Sequence, residues 1–465
     1  MIDYDLVVLG AGSVACWAAA TAARWQARVA QVPTMELDSP LELLLPLRSA
    51  AQTLHQMQAL KPLWANPFPL SLNGKKLSRW ATSVTVHETP TVAELSSLGV
   101  DWVTGDAQFV SKPKLSLRVG KRELRSRRYL LIFDPIPPVA TTLDVPVLNL
   151  GQLIERCQSS QPPQAIGILG DGPLSLQAAQ TFARLGHPVT LLLSQERSLV
   201  AEEAEAAFWV QAQLEAEGIQ ILPQAEITTT TSLSSSQYQI CTATHTFVAD
   251  VLLEAREAVP RRSLPLNLES LALRKSPQGL WVNHHLQTSH RQIYASGAIL
   301  GGYTNPDLSR YEASLALKNA LLWSRRPVDY HHQPRVVWTD PELARVGFTE
   351  LQAQARYAHV RSLSWSGTPL PQGIVSDPPL RFCKLIVLPR GELIGAHLVG
   401  SGAPELIHSL AFACQRRYRL QDLSQLIPLH RAQSQILTAL LPQQTPISPS
   451  WLERFFNLCR DWHLS

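Results

Sequence analysis

Short, almost wholly apolar runs alternate along this chain with alanine- and leucine-rich stretches. Residues 2–9 (IDYDLVVL) form the first such run, and its lack of polar alternation predicts a strand covered on both faces of a parallel sheet. It passes into Gly10-Ala11-Gly12-Ser13-Val14-Ala15, then into an alanine-rich stretch at 16–24 that predicts a helix, with 28–32 as the next strand. The same order returns further on. Residues 165–169 predict a strand, Gly170-Asp171-Gly172-Pro173-Leu174-Ser175 a turn, and the following residues a helix that stops at Gly186, with 189–193 as the next strand. Pro173 suits a first helical turn, where its missing N–H has no partner to lose. Residues 199–218 predict a helix and 219–222 a strand behind it. Between the two units, 100–109 and 115–129 alternate in the manner of antiparallel strands, and 129–133 is an apolar strand. Pro135, Pro137, Pro138 and Pro146 mark 134–147 as a linker, and the serine-rich 232–239 as a turn between strands. After a boundary at 331–334 (HHQP), strands at 335–338, 385–388 and 393–399 and helices at 403–416 and 434–441 predict an α+β module. In the tail, Ser450 caps an expected helix whose Trp451, Leu452, Phe455, Phe456, Cys459 and Trp462 share one face.

A strand, a glycine turn, a helix and a second strand within roughly thirty residues make the setting of a dinucleotide fingerprint. The glycines permit a tight turn, and the helix N-terminus offers N–H groups and a positive dipole end to a pyrophosphate. Gly10, Gly12 and Ala15 are the candidate cofactor residues of the first unit; Gly170, Gly172 and Ser175 are those of the second. Two such units in one chain are far more specific than either alone.

Composition narrows the field. The 465 residues are 45% apolar and 17% charged, which excludes a disordered or collagen-like chain. A net charge of +4 spread along the sequence gives no nucleic-acid signature. Arg118, Lys121, Arg122, Arg125, Arg127 and Arg128 cluster, but without interleaved aromatics they are expected to form the solvated face of a hairpin. Six cysteines (Cys16, Cys157, Cys241, Cys383, Cys414, Cys459) are all far apart, so no CxxC or CxxxxC pair exists. His284/His285 and His331/His332 lack metal-ligand spacing, and no metal site is expected. No apolar run reaches the ~18–20 residues of a membrane span, and the N-terminus has no signal-peptide pattern. A cytoplasmic protein is expected.

Several blocks resemble the flavoprotein disulfide reductase family, on its dihydrolipoyl dehydrogenase and mercuric reductase side. They are VWTDPELA at 337–344 followed by VGFTE at 346–350, GAHLVG at 395–400 with ELI at 405–407, and GVDWVTGDAQF at 99–109. The resemblance covers nearly the whole chain. It implies an α/β fold: two Rossmann-like dinucleotide-binding domains plus an α+β C-terminal dimerisation domain. The implied order is an FAD-type domain at 1–147, an NAD(P)-type domain at 148–262, a return to the FAD-type domain at 263–328, a dimerisation domain at 329–445 and a tail helix at 446–465. It also implies a homodimer.

The family's chemistry maps onto this chain with losses. Its redox dithiol falls on 38–46 (DSPLELLLP), which has no cysteine. Dithiol exchange needs a thiolate and a resolving partner. The acid that closes the second strand and accepts ribose hydroxyls is Pro33. The family's Ala-Thr-Gly turn reads Ile132-Phe133-Asp134, and its Tyr-Ala-x-Gly-Asp motif reads Tyr294-Ala295-Ser296-Gly297-Ala298, which keeps Gly297 and loses the acid that faces the flavin ribityl. Two lost carboxylate contacts are worth ~3–6 kcal/mol. In the second unit the aromatic gate is Pro173, the helix acid is Gln177, and Leu193-Ser194-Gln195 offers no acid to favour NAD, with Arg197 the nearest base. The terminal proton-transfer motif reads His430-Arg431-Ala432-Gln433-Ser434-Gln435, so the dyad of His430 and Gln435 is vestigial and no catalytic set is intact. The expectation is a homodimeric scaffold or regulatory pseudoenzyme with weak or no FAD binding and an NAD(P) unit of unread preference. The alternative is an FAD- and NAD(P)H-dependent oxidoreductase acting without a dithiol. Trp451, Phe455, Phe456 and Trp462 in the tail dock on a protein partner or pack on their own subunit; the sequence leaves both open.

Overall fold

The computed structural model describes residues 2–33, 40–60, 76–77, 79–81, 83–84, 89–133, 143–157, 159, 162–234, 236–256, 266–277, 279–301, 305–322, 324–366 and 380–423. The chain divides into two compact units, Met1–Leu199 with Leu214–Asp329, and Val200–Gln213 with Tyr330–Ser465.

The first unit is built on two five-stranded sheets of the same plan. In one, the strands run Ile293–Gly297, Ser126–Phe133, Tyr4–Leu9, Val29–Val32 and Asp101–Trp102 from edge to edge, all parallel. In the other they run Gln220–Leu222, Val189–Leu192, Ile166–Leu169, Val251–Glu254 and Val147–Leu148, again all parallel. Helices cover one face of each sheet and a small antiparallel sheet the other, which is why the strands are continuous apolar runs: Leu6, Val7, Val8 and Leu9 are wholly buried. Helix Ser13–Arg24 packs its alanine face on one side, and Leu130, Ala313 and Ala316 join it there. Phe109, Leu117 and Tyr129 fill the other side. Small antiparallel three-stranded sheets, at 107–124 and 227–249, accompany the two parallel ones.

Two elements differ from the sequence expectation. The expected antiparallel strands 100–109 and 115–129 hold only in part: Asp101–Trp102 joins the parallel sheet beside Val29–Val32, Ala107–Val110 is antiparallel, and from Ser126 the second stretch runs in the parallel strand Ser126–Phe133. The expected helix at 199–218 is Ala204–Ala216, because Leu199 takes a positive φ of 51° and donates its N–H to the Asp171 carbonyl oxygen.

The second unit holds an antiparallel sheet in the order Arg335–Val337, Leu343–Gly347, Leu393–Val399, Phe382–Val387, Arg361–Ser366. Helix Ala403–Gln415 seals it through Ile407, Leu410 and Cys414. Lys384 is buried in the middle of the sheet with its Nζ 2.8 Å from Glu203, 2.7 Å from Glu350 and 3.2 Å from Glu205. Burial alone pulls a lysine's pKa down; hydrogen bonds to Glu203 and Glu350 more than reverse it, so Lys384 stays charged. His397 is wholly buried, and burial lowers its pKa to about 4, so its ring is neutral. Among the described residues no helix is long and apolar enough to cross a membrane.

Candidate functional site

In the first unit, strand Tyr4–Leu9 delivers the chain to the first glycine turn. Gly10 has φ +148° and donates its N–H to the Val32 carbonyl at 3.0 Å. A Cβ there would stand 2.0 Å from the Ile132 carbonyl oxygen and 3.1 Å from the Ala15 Cβ, so the turn is pressed against the neighbouring strand and tolerates no side chain. Ala15 is fully buried and small for the same reason. Gly12 is the N-cap of helix Ser13–Arg24 and supplies no side chain to cap it, which leaves the positive end of the helix for an anion.

Beneath this turn lies Gln31, wholly buried. Its Nε2 donates to the Gly10 carbonyl and to the Cys16 sulfur, both at 3.3 Å, while its Oε1 has no hydrogen-bond partner. Cys16 is therefore part of the packing under the turn. Burial pushes the Cys157 thiol up to about 11 and that of Cys414 to about 12, and no disulfide forms among the described residues. Neither of these two thiols is poised as a thiolate.

At the far edge of the same sheet, strand Ile293–Gly297 ends in Gly297, with φ +78°. Its N–H donates to the Glu312 carboxylate at 2.7 Å. Glu312 is 5% exposed on helix Pro306–Leu321, and the Oγ of buried Ser296 next to Gly297 has no partner. Position 298 carries no acid, yet a carboxylate reaches this strand end from the facing helix. Sequence reasoning missed Glu312. The available signal was an acid beside Ala313, Leu315 and Ala316 on the buried face of this helix.

The second glycine turn repeats the backbone of the first. Gly170 has φ +147° and donates to the Leu192 carbonyl at 3.1 Å; a Cβ would stand 2.7 Å from the Ala255 carbonyl oxygen. Gly172 caps helix Pro173–Arg184, with Pro173 in the first turn as expected. Ser175 is fully buried and its hydroxyl donates to the Gly172 carbonyl at 2.7 Å. Gln177 is buried with an unpartnered Oε1. Asp171, between the glycines, turns its carboxylate onto the end of the next strand. Oδ1 accepts the N–H groups of Ser194 at 2.7 Å and Gln195 at 3.2 Å, and Oδ2 accepts the Ser194 hydroxyl at 2.5 Å. This contact also was not foreseen.

The structure thus brings Gly10, Gly12 and Ala15 together in one turn, Gly170, Gly172 and Ser175 in another, and places Gly297 at a third strand end. His430, Gln435 and the tail residues Trp451, Phe455, Phe456 and Trp462 lie outside the described residues. No group of three or more metal-ligating side chains occurs among the described residues. Much of the basic cluster is consumed locally. Arg122 lies 2.6 Å from Asp101 and bonds the Tyr4 hydroxyl at 3.0 Å, Arg125 pairs with Glu123 at 3.1 Å, and Arg127 approaches Asp5 at 3.7 Å. Burial, with Asp101 as hydrogen-bond partner, pushes the Tyr4 phenol up to about 12.

Set against FAD, the first unit fits unevenly. Its turn and uncapped helix suit a pyrophosphate, whereas Pro33 at the end of strand Val29–Val32 offers no carboxylate to a ribose. The sheet that carries the second glycine turn has both parts, the turn and a carboxylate on the adjoining strand end.

Two family models match the chain: pyridine nucleotide-disulphide oxidoreductase over residues 143–316, and the dimerisation domain of the same group over 333–440. A mercuric reductase of Staphylococcus aureus is 25% identical over 443 residues, covering 91% of this chain and 79% of that protein. A dihydrolipoyl dehydrogenase of Bacillus subtilis is 27% identical over 432 residues, covering 87% and 91%. Among solved structures, LpdA of Mycobacterium tuberculosis superposes with a TM-score of 0.81 at 20% identity, over 95% of this chain and 99% of that one, a likeness of fold. A flavoprotein disulfide reductase of Escherichia coli, RclA, does so with a TM-score of 0.78 at 22% identity, over 96% and 100%. With paired glycine turns, parallel sheets and a C-terminal antiparallel sheet matching in this order, the chain belongs to the pyridine nucleotide-disulfide oxidoreductase family.

Proposed function

We propose that this chain is a catalytically degenerate member of the family: a homodimeric scaffold or regulatory protein that holds FAD weakly or not at all and keeps a dinucleotide at its second glycine turn. The observation that carries the reading is chemical. No cysteine stands between Cys16 and Cys157, so the stretch that bears the family's dithiol has no sulfur to accept or pass on electrons. The implied domain order and the dimerisation domain at 329–445 belong to the same reading. Residues Gly10, Gly12, Ala15 and Gly297 line the FAD-type side; Gly170, Gly172 and Ser175 line the NAD(P) side. His430 lacks the acid that orients it, since Gln435 carries no charge.

Purified protein tests this directly. The expected result after gel filtration is a dimer without a stoichiometric flavin spectrum and without NADH- or NADPH-dependent reduction of lipoamide, a disulfide or Hg(II). A yellow protein that reduces any of the three overturns the reading.

A second reading, a flavin oxidoreductase without a dithiol, is favoured by one contact. Glu312 restores a buried carboxylate beside Gly297, where the family motif has its acid. Stoichiometric FAD together with NAD(P)H-dependent reduction of a quinone or dye, but not of disulfides, supports that alternative.

A further inference from the structure

We infer that Asp171 makes the second glycine turn selective for a dinucleotide whose adenosine ribose carries a free 2′-hydroxyl, NAD(H), over one carrying a 2′-phosphate, NADP(H). The inference rests on the reading that this turn still takes a dinucleotide. In such units the acid that accepts the ribose hydroxyls lies about 20 residues beyond the glycine turn, at the end of the second strand. That place is held here by Leu193-Ser194-Gln195, none of them an acid, with exposed Glu196 and then Arg197 just beyond it. The structure supplies an acid from the turn itself. The Asp171 carboxylate sits on the backbone of Ser194 and Gln195 and on the Ser194 hydroxyl.

Three features make this more than a loop tether. First, the loop 194–199 is also tied to the turn by the Leu199 N–H, which donates to the Asp171 main-chain carbonyl at 2.9 Å. The carboxylate is thereby fixed in position rather than swinging in solvent. Second, an ionised carboxylate has about four acceptor sites, and three are used. One remains for a ribose hydroxyl, where a strand-end acid with no other partners accepts two. Recognition of the 2′-hydroxyl is retained and weakened, while the negative charge that repels a 2′-phosphate is undiminished. Third, the nearby guanidinium of Arg256 is engaged. Its Nε and terminal nitrogen bond Glu254 at 2.8 and 2.5 Å, and Glu254 is buried, so this cation is bound in a fork and is not a ready counter-charge for phosphate.

The test is equilibrium binding to the full-length protein, with ADP-ribose against 2′-phospho-ADP-ribose as probes of the adenosine half, and NADH against NADPH as whole ligands. The expected result is at least tenfold tighter binding of the 2′-hydroxyl form in both pairs. Asp171→Asn keeps an acceptor for the strand-end amides and removes the charge. It is expected to narrow the ratio at least fivefold, chiefly by tightening the phosphorylated ligand, with the thermal midpoint little changed. Ser194→Ala removes one hydrogen bond and no charge and frees an acceptor site on Asp171, and is expected to leave the ratio unchanged or raise it; a fall like that expected for Asp171→Asn overturns the inference. Equal or preferred binding of the phosphorylated probe, an unchanged ratio in Asp171→Asn, or no binding of any probe each overturns the inference. The ratio in the unmodified protein decides the matter even if the variant misfolds. Failure through the ratio is separable from failure of the functional reading, which is lost through turnover with lipoamide, disulfide or Hg(II), or, for its dinucleotide, through binding none of the probes.

Discussion

The two glycine turns of the first unit share a backbone and differ in what their side chains do with it. Gly10 and Gly170 have φ values of +148° and +147°, and each donates its N–H to the neighbouring parallel strand. Between the glycines, however, one turn carries Ala11 and the other Asp171. The first turn rests on a neutral buried amide, Gln31, and its adjoining strand ends in Pro33. The second is clasped to its adjoining strand by a carboxylate. The lesson is that strand order and steric crowding impose the turn, whereas sugar recognition is a separate layer of side chains. That layer can be stripped from one unit and rearranged in the other while the turn stays.

The largest effect that separates the layers is steric. Gly10→Ala drives a Cβ to 2.0 Å from the Ile132 carbonyl oxygen, and the obstacle is backbone in a buried parallel strand. Gly170→Ala meets the Ala255 carbonyl oxygen at 2.7 Å, beyond the end of its strand, where there is more room to shift. Both also force a side chain into positive φ. The expected loss is more than ~3 kcal/mol at Gly10 and ~1–3 kcal/mol at Gly170, read as shifts in the denaturant midpoint. Equal losses, or the reverse order, contradict the view that the first turn is the more tightly wedged.

Next in size is the acid at the far edge of the first sheet. Glu312→Ala leaves the Gly297 N–H buried without a partner, at a cost of ~1–3 kcal/mol. Glu312→Gln keeps an acceptor, so less than half of that loss is expected in the same unfolding measurement. Added FAD sharpens the comparison. If the first unit uses this acid for a cofactor, Glu312→Gln lowers FAD affinity while remaining nearly as stable as the parent protein. If Glu312 serves only the strand end, the two variants differ in stability alone and any weak FAD affinity is unchanged.

These contacts also mark how far the sequence was legible. Six of the ten parallel strands, both glycine turns and three strands of the C-terminal sheet followed from apolar runs and glycine spacing, because burial on two faces leaves an unbroken pattern; Asp101–Trp102, Val147–Leu148, Val251–Glu254 and Ile293–Gly297 did not. Strands Leu343–Gly347 and Arg361–Ser366 did not, the latter because its exposed edge mixes Arg361, Ser362 and Ser364 with Leu363. In the site, the glycines and the losses at Pro33 and Ala298 were readable position by position. The replacements were not. Asp171 stands 23 residues from Ser194, and Glu312 stands 15 from Gly297. Only the folded chain brings them to the strand ends, and no local spacing rule links an acid to a backbone amide across that separation.

The smallest expected effect compares two buried glutamines, one at each glycine turn. Gln31 uses its amide nitrogen on the Gly10 carbonyl and the Cys16 sulfur, although its Oε1 goes unpartnered. Gln31→Leu therefore removes two contacts and strands a backbone carbonyl under the turn, for an expected loss of ~1 kcal/mol. Gln177 is equally buried, and its Oε1 has no partner. Gln177→Leu deletes that unmet acceptor at similar volume, so the expected change lies between zero and a gain of ~1 kcal/mol. Opposite signs in the midpoint shift identify Gln31 as a support of the first turn and Gln177 as a polar group kept at a cost to stability. A loss at Gln177 as large as at Gln31 shows instead that its amide is engaged in the folded protein, and the contrast between the two turns then reduces to Ala11 against Asp171.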